Sequence, residues 1–322
     1  MTFDLLPAQH APCASSLRCS VVDVTASPLV IRIFHGDGTL LGQKRFTDVT
    51  EASFEIAPYL RGLVDFQLPT ETSSGIESAA DRQLAIYLEA ETPDERVQSP
   101  LLILRPADEE SAKPALLTTL PRERLLAPGE WDELSFLVGS SPHPLKIVEY
   151  RRDGTIHDAV QMLPMAALWC YRVAADDYPE ADTLLIDAGT LGTLRYTFLP
   201  APEGSCRLTW QSHRGSLEHY TFPRVERVEQ TIERNRAYGD KGHLVTSLER
   251  EERLILTSAL EGEEWMQALA EILVAEHVWL LREGLYTEVD ILTDEAEIAR
   301  YGTLRSLTIT LRSRLKNDLL WS

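Results

Sequence analysis

No apolar run in the 322-residue sequence approaches the roughly 20 residues that a membrane-spanning helix requires, so no membrane span is expected. Basic residues are also scarce: 31 Lys and Arg stand against 50 Asp and Glu, for a net charge of −19. The deficit is spread along the chain: 9 basic and 17 acidic residues (−8) over 1–115, 7 and 12 (−5) over 116–202, 15 and 21 (−6) over 203–322. No stripe of Lys and Arg interrupts it. Phosphate backbones and anionic bilayers are held by clustered Lys and Arg, so nucleic acid is not expected as a partner, nor is a membrane surface. Cysteine occurs only at positions 13, 19, 170 and 206, in no zinc-ligand spacing. The opening segment MTFDLLPAQHAPCASSL carries an aspartate and prolines in place of the apolar stretch of a secretory signal. A cytoplasmic protein with reduced thiols is the expectation. G-x-S-x-G, H-E-x-x-H, P-loop and G-x-G-x-x-G patterns are all missing. The Gly-bearing DAGTLG (187–192) has no helix after it and reads as a turn between strands.

What the chain does contain is a phrase used twice. PLVIRIFHGDGTL begins at Pro28 and PLKIVEYRRDGTI at Pro144, 116 residues later, sharing Pro-Leu, an Ile, an aromatic (Phe34 or Tyr150) and Asp-Gly-Thr. Internal repetition speaks to architecture before chemistry. Leu29, Ile31 and Ile33 alternate with Val30, Arg32 and Phe34 as in a half-buried strand, and Asp-Gly supplies the tight hairpin. Turn residues recur about every ten positions through SFEIAPYL, LVDFQL, QLAIYLEA and SPLLILRP, the rhythm of a β-sandwich. The polar stretch 71–82 reads as a mobile loop, and 107–114 as a linker. ELSFLVGS, again 116 residues beyond LRCSVVDV, carries the duplication back by one strand.

Beyond Gly204 the pattern changes. RLTWQ, HYTF, HLVTSL and ERLILTS read as strands, while Val225–Arg236 fits a helix or an edge strand. Glu263–Glu276 is an amphipathic helix with Trp265, Leu269, Ile272 and Leu273 on one stripe. A hairpin turning at Glu283-Gly284 and the alternating strand LRSLTITLRSR complete the region. The fold class expected is mainly β with an α+β C-terminal domain. Two tandem β-sandwich domains of immunoglobulin or fibronectin type (1–115 and 116–202) precede a one-helix antiparallel-sheet domain (203–322).

RLTWQSHRGSLEHYTF (207–222), LILTSALEGEEWMQALAEILVAEHVWLL (254–281), Tyr286–Val289 and LTITLR (307–312) resemble, in their order, structural proteins encoded in prophage-like regions of gut-type bacteria. The shared features are a Trp-bearing strand, a Tyr-Thr-Phe strand, a helix leading into a short hydrophobic strand, and a final Thr-rich strand. The resemblance spans about the last 110 residues, and Ser212-His213-Arg214-Gly215 replaces the family's Gly-rich loop. It implies a tail or tail-tip component of a phage-like particle, acting in a symmetric assembly without a cofactor.

Individual residues that could carry chemistry are few. His213, Glu218 and His219 offer metal-ligating atoms, although Gly215 and Ser216 place a turn among them. Asp176, Asp177, Glu180, Asp182 and Asp187 offer oxygens but lack calcium-loop spacing. Trp131, Trp169 and Trp210 would stack on sugars if exposed, yet sandwich tryptophans are usually core residues. Trp265 and Trp279 belong by periodicity to the third domain's core. Cys170, between two aromatics, reads as a buried thiol. No catalytic, cofactor-binding or metal-ligating residue is assigned. The expected role is a non-enzymatic structural or assembly protein, a homo-oligomer or a partner of other structural proteins. A carbohydrate- or peptide-binding protein, with loops 71–82 and 176–187 as its edge and a glycan as ligand, is the alternative.

Overall fold

A computed structural model describes residues 1–60, 62–63, 68–69, 72–107, 113–165, 167–240, 242–282, 284–294 and 297–315. The expected strand LVDFQL, the linker at 107–114 and the turn at Glu283 fall largely or wholly outside them. The chain is mainly β, with 57% of residues in strands and 8% helical.

The first unit contains β1 (Thr2–Leu5), β2 (Ala11–Pro12), β3 (Arg18–Val22), β4 (Leu29–His35), β5 (Leu40–Phe46) and β6 (Ala52–Glu55). After β7 (Gly75–Ser78) it continues with β8 (Leu84–Glu91), β9 (Arg96–Gln98) and β10 (Leu102–Arg105). One sheet has the order β1-β3-β6; the other runs β2-β10-β8-β4-β5, with β9 on β8. Inward Cys19, Val21, Leu29, Ile31, Ile33, Phe54, Ile86 and Leu88 fill a common core between them.

The second unit repeats that order. β11 (Ala115–Leu116), β12 (Glu123–Leu126), β13 (Trp131–Leu137), β14 (His143–Arg151), β15 (Ile156–Leu163), β16 (Leu168–Ala174), β17 (Ala181–Asp187) and β18 (Thr193–Phe198) form β11-β13-β16 and β12-β18-β17-β14-β15. Even the parallel pairing is reproduced, β2 with β10 and β12 with β18. The two Asp-Gly-Thr hairpins share their turn geometry. Gly38 and Gly154 adopt φ of 93° and 86°, where a Cβ is strained, and Asp37 and Asp153 each accept the amide of the Thr two residues on at 2.8 Å. That amide holds the Asp37 carboxyl down to about 2. The 116-residue offset does not extend unbroken into β3 and β13. It would match Cys19 with Ser135, yet Cys19 and Val21 are core residues, as are Leu134 and Phe136. One residue of slip exchanges the faces of a strand, so the connection to the hairpin differs in length by one.

Strand β7 corrects the expectation of a mobile loop at 71–82. Gly75–Ser78 pairs antiparallel with β16, adding a fourth strand to the second unit's sheet. Ser74 Oγ accepts the Ala174 amide at 2.8 Å, and Asp177 Oδ2 accepts the Ser74 amide at 2.6 Å.

The third unit is a single sheet of β19 (Cys206–Gln211), β20 (Leu217–Phe222), β21 (Arg224–Gly239), β22 (Gly242–Thr257), β23 (Val278–Arg282), β24 (Leu285–Ile291), β25 (Glu297–Tyr301) and β26 (Leu304–Ser313). Its order is β20-β19-β23-β24-β26-β22-β21, with β25 on β26. The helix α1 (Glu263–Leu269) is shorter than expected and tightens into a 3-10 turn over Ala270–Leu273. Leu269 and Ile272 are buried against Leu254, Leu256, Leu307, Ile309 and Leu311, as their spacing requires. The ambiguous segment at 225–236 is strand, and HLVTSL and ERLILTS are one continuous strand instead of two.

Candidate functional site: a buried charged seam and an exposed arm

Every residue of β13 is buried, although only alternate side chains can face the core of its own unit. Leu134 and Phe136 point into that core. The opposite face carries Trp131, Glu133, Ser135 and Leu137, covered at its Trp131 end by the third sheet and farther along by Arg82, Ala79 and Leu117. Trp131 packs at 4.5 Å against the His219 ring and at 6.2 Å against Tyr286, and its carbonyl accepts Arg207 at 2.7 Å.

Charges along this seam are paired with one another. Arg82, carried in on the segment that follows β7, donates to both oxygens of Glu133, its Nη2 at 3.0 Å from Oε2. Arg172 donates twice to Glu77, at 3.0 and 2.8 Å, and lies 3.8 Å from Glu133. Arg124 donates to Asp132 at 2.7 Å and to Thr118, and lies 3.5 Å from Glu218. Glu218 accepts Thr118 Oγ1, the Thr119 amide and Ser216 Oγ at 2.8, 2.9 and 2.8 Å. Asp132 also accepts the Tyr196 hydroxyl at 2.9 Å. Burial outweighs these contacts at Glu218 and lifts its carboxyl to about 7, and burial pushes the His219 imidazole down to about 3. Shifts of this kind mark catalytic groups as well as structural networks. Here each carboxylate is bonded to groups of the chain itself, the arrangement of a staple between layers. Beside the seam lies a cleft of about 300 Å³, lined by Glu130, Arg207, Tyr220, Glu261 and Trp265 among others.

The residues singled out in the sequence do not converge. His213 sits in the turn before β20 and pairs with Glu271 at 2.9 Å, whereas His219 hydrogen-bonds Thr209 at 2.8 Å within the seam. Asp176 accepts the Gly129 amide, Asp177 serves Ser74, and Asp187 accepts Gly189 and Thr193. Among the described residues no group of three or more His, Cys, Asp or Glu is placed to hold a metal. Trp210 and Trp131 are buried and Trp169 is half-buried against the second core, so none offers an open ring. Cys170 is buried beside Ser135 and Arg82, its thiol pushed up to about 12 by desolvation.

An exposed hairpin arises where the sequence is ambiguous. β21 and β22 are each 16 residues long, but β26 pairs with β22 only from Arg253 to Thr257. The remaining ladder, from Thr231 opposite Glu251 to Gly239 opposite Gly242, projects as a two-stranded arm of about 30 Å at strand rise. Ile232, Tyr238, Leu244, Val245 and Leu248 are all exposed on it, Tyr238 at 81%. An isolated hairpin is marginal in water, and an uncovered strand edge invites pairing.

The chain matches no protein-family model and no curated protein. Among the described residues no helix is long and apolar enough to cross a membrane.

Proposed function

We propose that this protein is a non-enzymatic structural component whose work is assembly, of the phage-tail-like kind that its C-terminal third resembles. The arm carries this reading: about 30 Å of hairpin with apolar side chains in water is stable and soluble only when something covers it. The body behind it is stiffened to match. The charged seam and the β7 strap lock three units into one block, which suits a part that transmits position more than one that opens around a substrate. Within this reading the two repeated units are immunoglobulin- or fibronectin-like sandwiches, the domains divide near residues 115 and 202, and the protein is made in the cytoplasm and taken into a particle.

The cleft beside the seam favours a second reading, a carbohydrate- or peptide-binding protein, because Trp265 and Tyr220 lie near Glu130 and Glu261 there. Light scattering behind size exclusion, over a concentration series, tests the first. A defined species heavier than the 36.2 kDa chain is expected. A strict monomer at high concentration overturns it, and glycan or peptide binding by that monomer would establish the second.

A further inference from the structure

The arm has two unlike faces, and one of them has a counterpart elsewhere on the same chain. Along β21, Ile232, Arg234, Arg236 and Tyr238 share a face, because alternate residues of a strand do. Their cross-strand partners Arg250, Leu248, Val245 and His243 stand on that face too. It is therefore apolar and basic. The segment 231–250 holds four basic and three acidic residues, net +1, so the remainder of the chain carries −20 (−19 less +1).

The counterpart is the outer row of β15, the last strand of its sheet order. Ile156, Asp158, Val160 and Met162 occupy one face of this strand and all are exposed, Ile156 at 61% and Val160 at 60%. Tyr150, opposite Ile156 on β14, extends the apolar surface. The matching row of the first unit, Leu40, Gln43 and Arg45 of β5, is exposed too but mostly polar, and the β4–β8 face beside it is crossed by ion pairs from Arg32 to Glu89 and Glu91 and by the Phe34–Tyr87 stack. The receiving face thus holds Asp158 and, on β17, Asp187 about a single Lys146, which stands opposite Val160, while the apolar arm face presents three guanidiniums, Arg234, Arg236 and Arg250.

Resting on the assembly reading, we propose that the arm of one copy lies on the β14–β15 face of a second copy, with Arg234 and Arg236 about Asp158 and with Leu248 and Ile232 over Val160 and Ile156. Because arm and receiving face are different surfaces, the contact is head-to-tail, and repetition gives a ring or a filament.

Two measurements on the full-length protein test this. Leu248→Cys and Val160→Cys proteins are oxidised alone and mixed; the four native cysteines are buried and stay silent. A disulfide-linked dimer forming only in the mixture is expected. Separately, light scattering follows Asp158→Arg, the double variant Arg234→Asp/Arg236→Asp, and all three changes combined. Each reversal is expected to return the assembly to the 36.2 kDa monomer, and the combination to restore it. All these side chains are exposed, so folding is not at stake. Leu248→Cys linking to itself would mean arm against arm and overturns the proposal, as does loss of mass with neither a mixed cross-link nor rescue. Assembly that survives both reversals also overturns it while leaving the structural function standing. A wild type monomeric throughout overturns both.

Discussion

The two repeated units have the same strand order, the same parallel first pairing and the same hairpin, yet they have been put to opposite uses. In the first, the β1-β3-β6 sheet keeps Arg18, Ser20 and Val22 of β3 partly or fully open to solvent. In the second, the corresponding strand β13 is buried on both faces, and its outward row holds Trp131, Glu133 and Ser135. The far sheets differ at their last strands: the outward row of β5 is Leu40, Gln43 and Arg45, largely polar, while that of β15 exposes Ile156, Val160 and Met162. Topology is thus indifferent to what a face meets, and the side chains on the outward row decide it. A charged outward row is wet when open and becomes a staple when another layer covers it, because desolvated charges hold only in pairs.

The sharpest way to break this contrast is Glu133→Ala. It leaves the Arg82 and Arg172 guanidiniums without the carboxylate between them and is expected to cost about 3–5 kcal/mol. Ser20→Ala on the open face of the first unit should stay within about 0.5 kcal/mol. Denaturant midpoints of the two variants measure the gap, and equal effects would remove the distinction between covered and open sheets.

A second difference is the pH dependence of the covered seam between pH 3 and 7. Folded Glu218 keeps its proton to about 7 against 4.5 ordinarily, so its contribution to stability declines as pH rises through that window. Folded His219 takes a proton only near 3 against 6.5 ordinarily, so its contribution is lost as pH falls from 6.5 toward 3. Between 4.5 and 6.5 the two slopes oppose. Glu218→Gln should uncover the histidine's, with stability falling on acidification by up to about 1.4 kcal/mol per pH unit. Unfolding curves from pH 6.5 to 4.5 that stay as flat as wild type would contradict this assignment.

The borrowed strand gives a third, smaller test. Glu77→Pro removes the backbone donor of β7 that faces Cys170 on β16, together with the carboxylate that Arg172 holds, and is expected to cost about 2–3 kcal/mol. New proteolytic cleavage at 72–79 should accompany it, with the first unit's sheets unaffected by hydrogen exchange. Smallest and most even is the hairpin. Gly38→Ala and Gly154→Ala should each cost about 1 kcal/mol, because both turns need φ above zero and little surrounds either Cβ. A large disparity between them in thermal midpoint would break the equivalence of the repeats.

Much of this fold could be read from residue order. Leu29, Ile31 and Ile33, and later Leu307, Ile309 and Leu311, announce their strands by alternation, and Leu269 and Ile272 announce the helix stripe. The strap at 75–82 could not be read so, because Gly75–Ser78 offers a single apolar residue, Ile76, and becomes a strand only where β16 presents an edge to it. The seam was missed for a related reason. Glu133 in WDELSFL, Arg172 in LWCYRVA and Glu218 in LEHYTF alternate with apolar residues as solvent-facing charges do. Only the layer lying over them distinguishes a wet face from a dry one. The arm was missed because Val225, Val228 and Ile232 fit either period.

Sequence alone determined the duplication, the hairpins and which side chains enter each core, because these follow from local turn chemistry and a two-residue period. Tertiary structure decided that one copy of the repeat would be sealed under a third sheet and that a long hairpin would be left standing in solvent. Burial of a face depends on what lies across from it, and residues such as Trp131 and His219, 88 positions apart in the chain, meet only after the layers have packed.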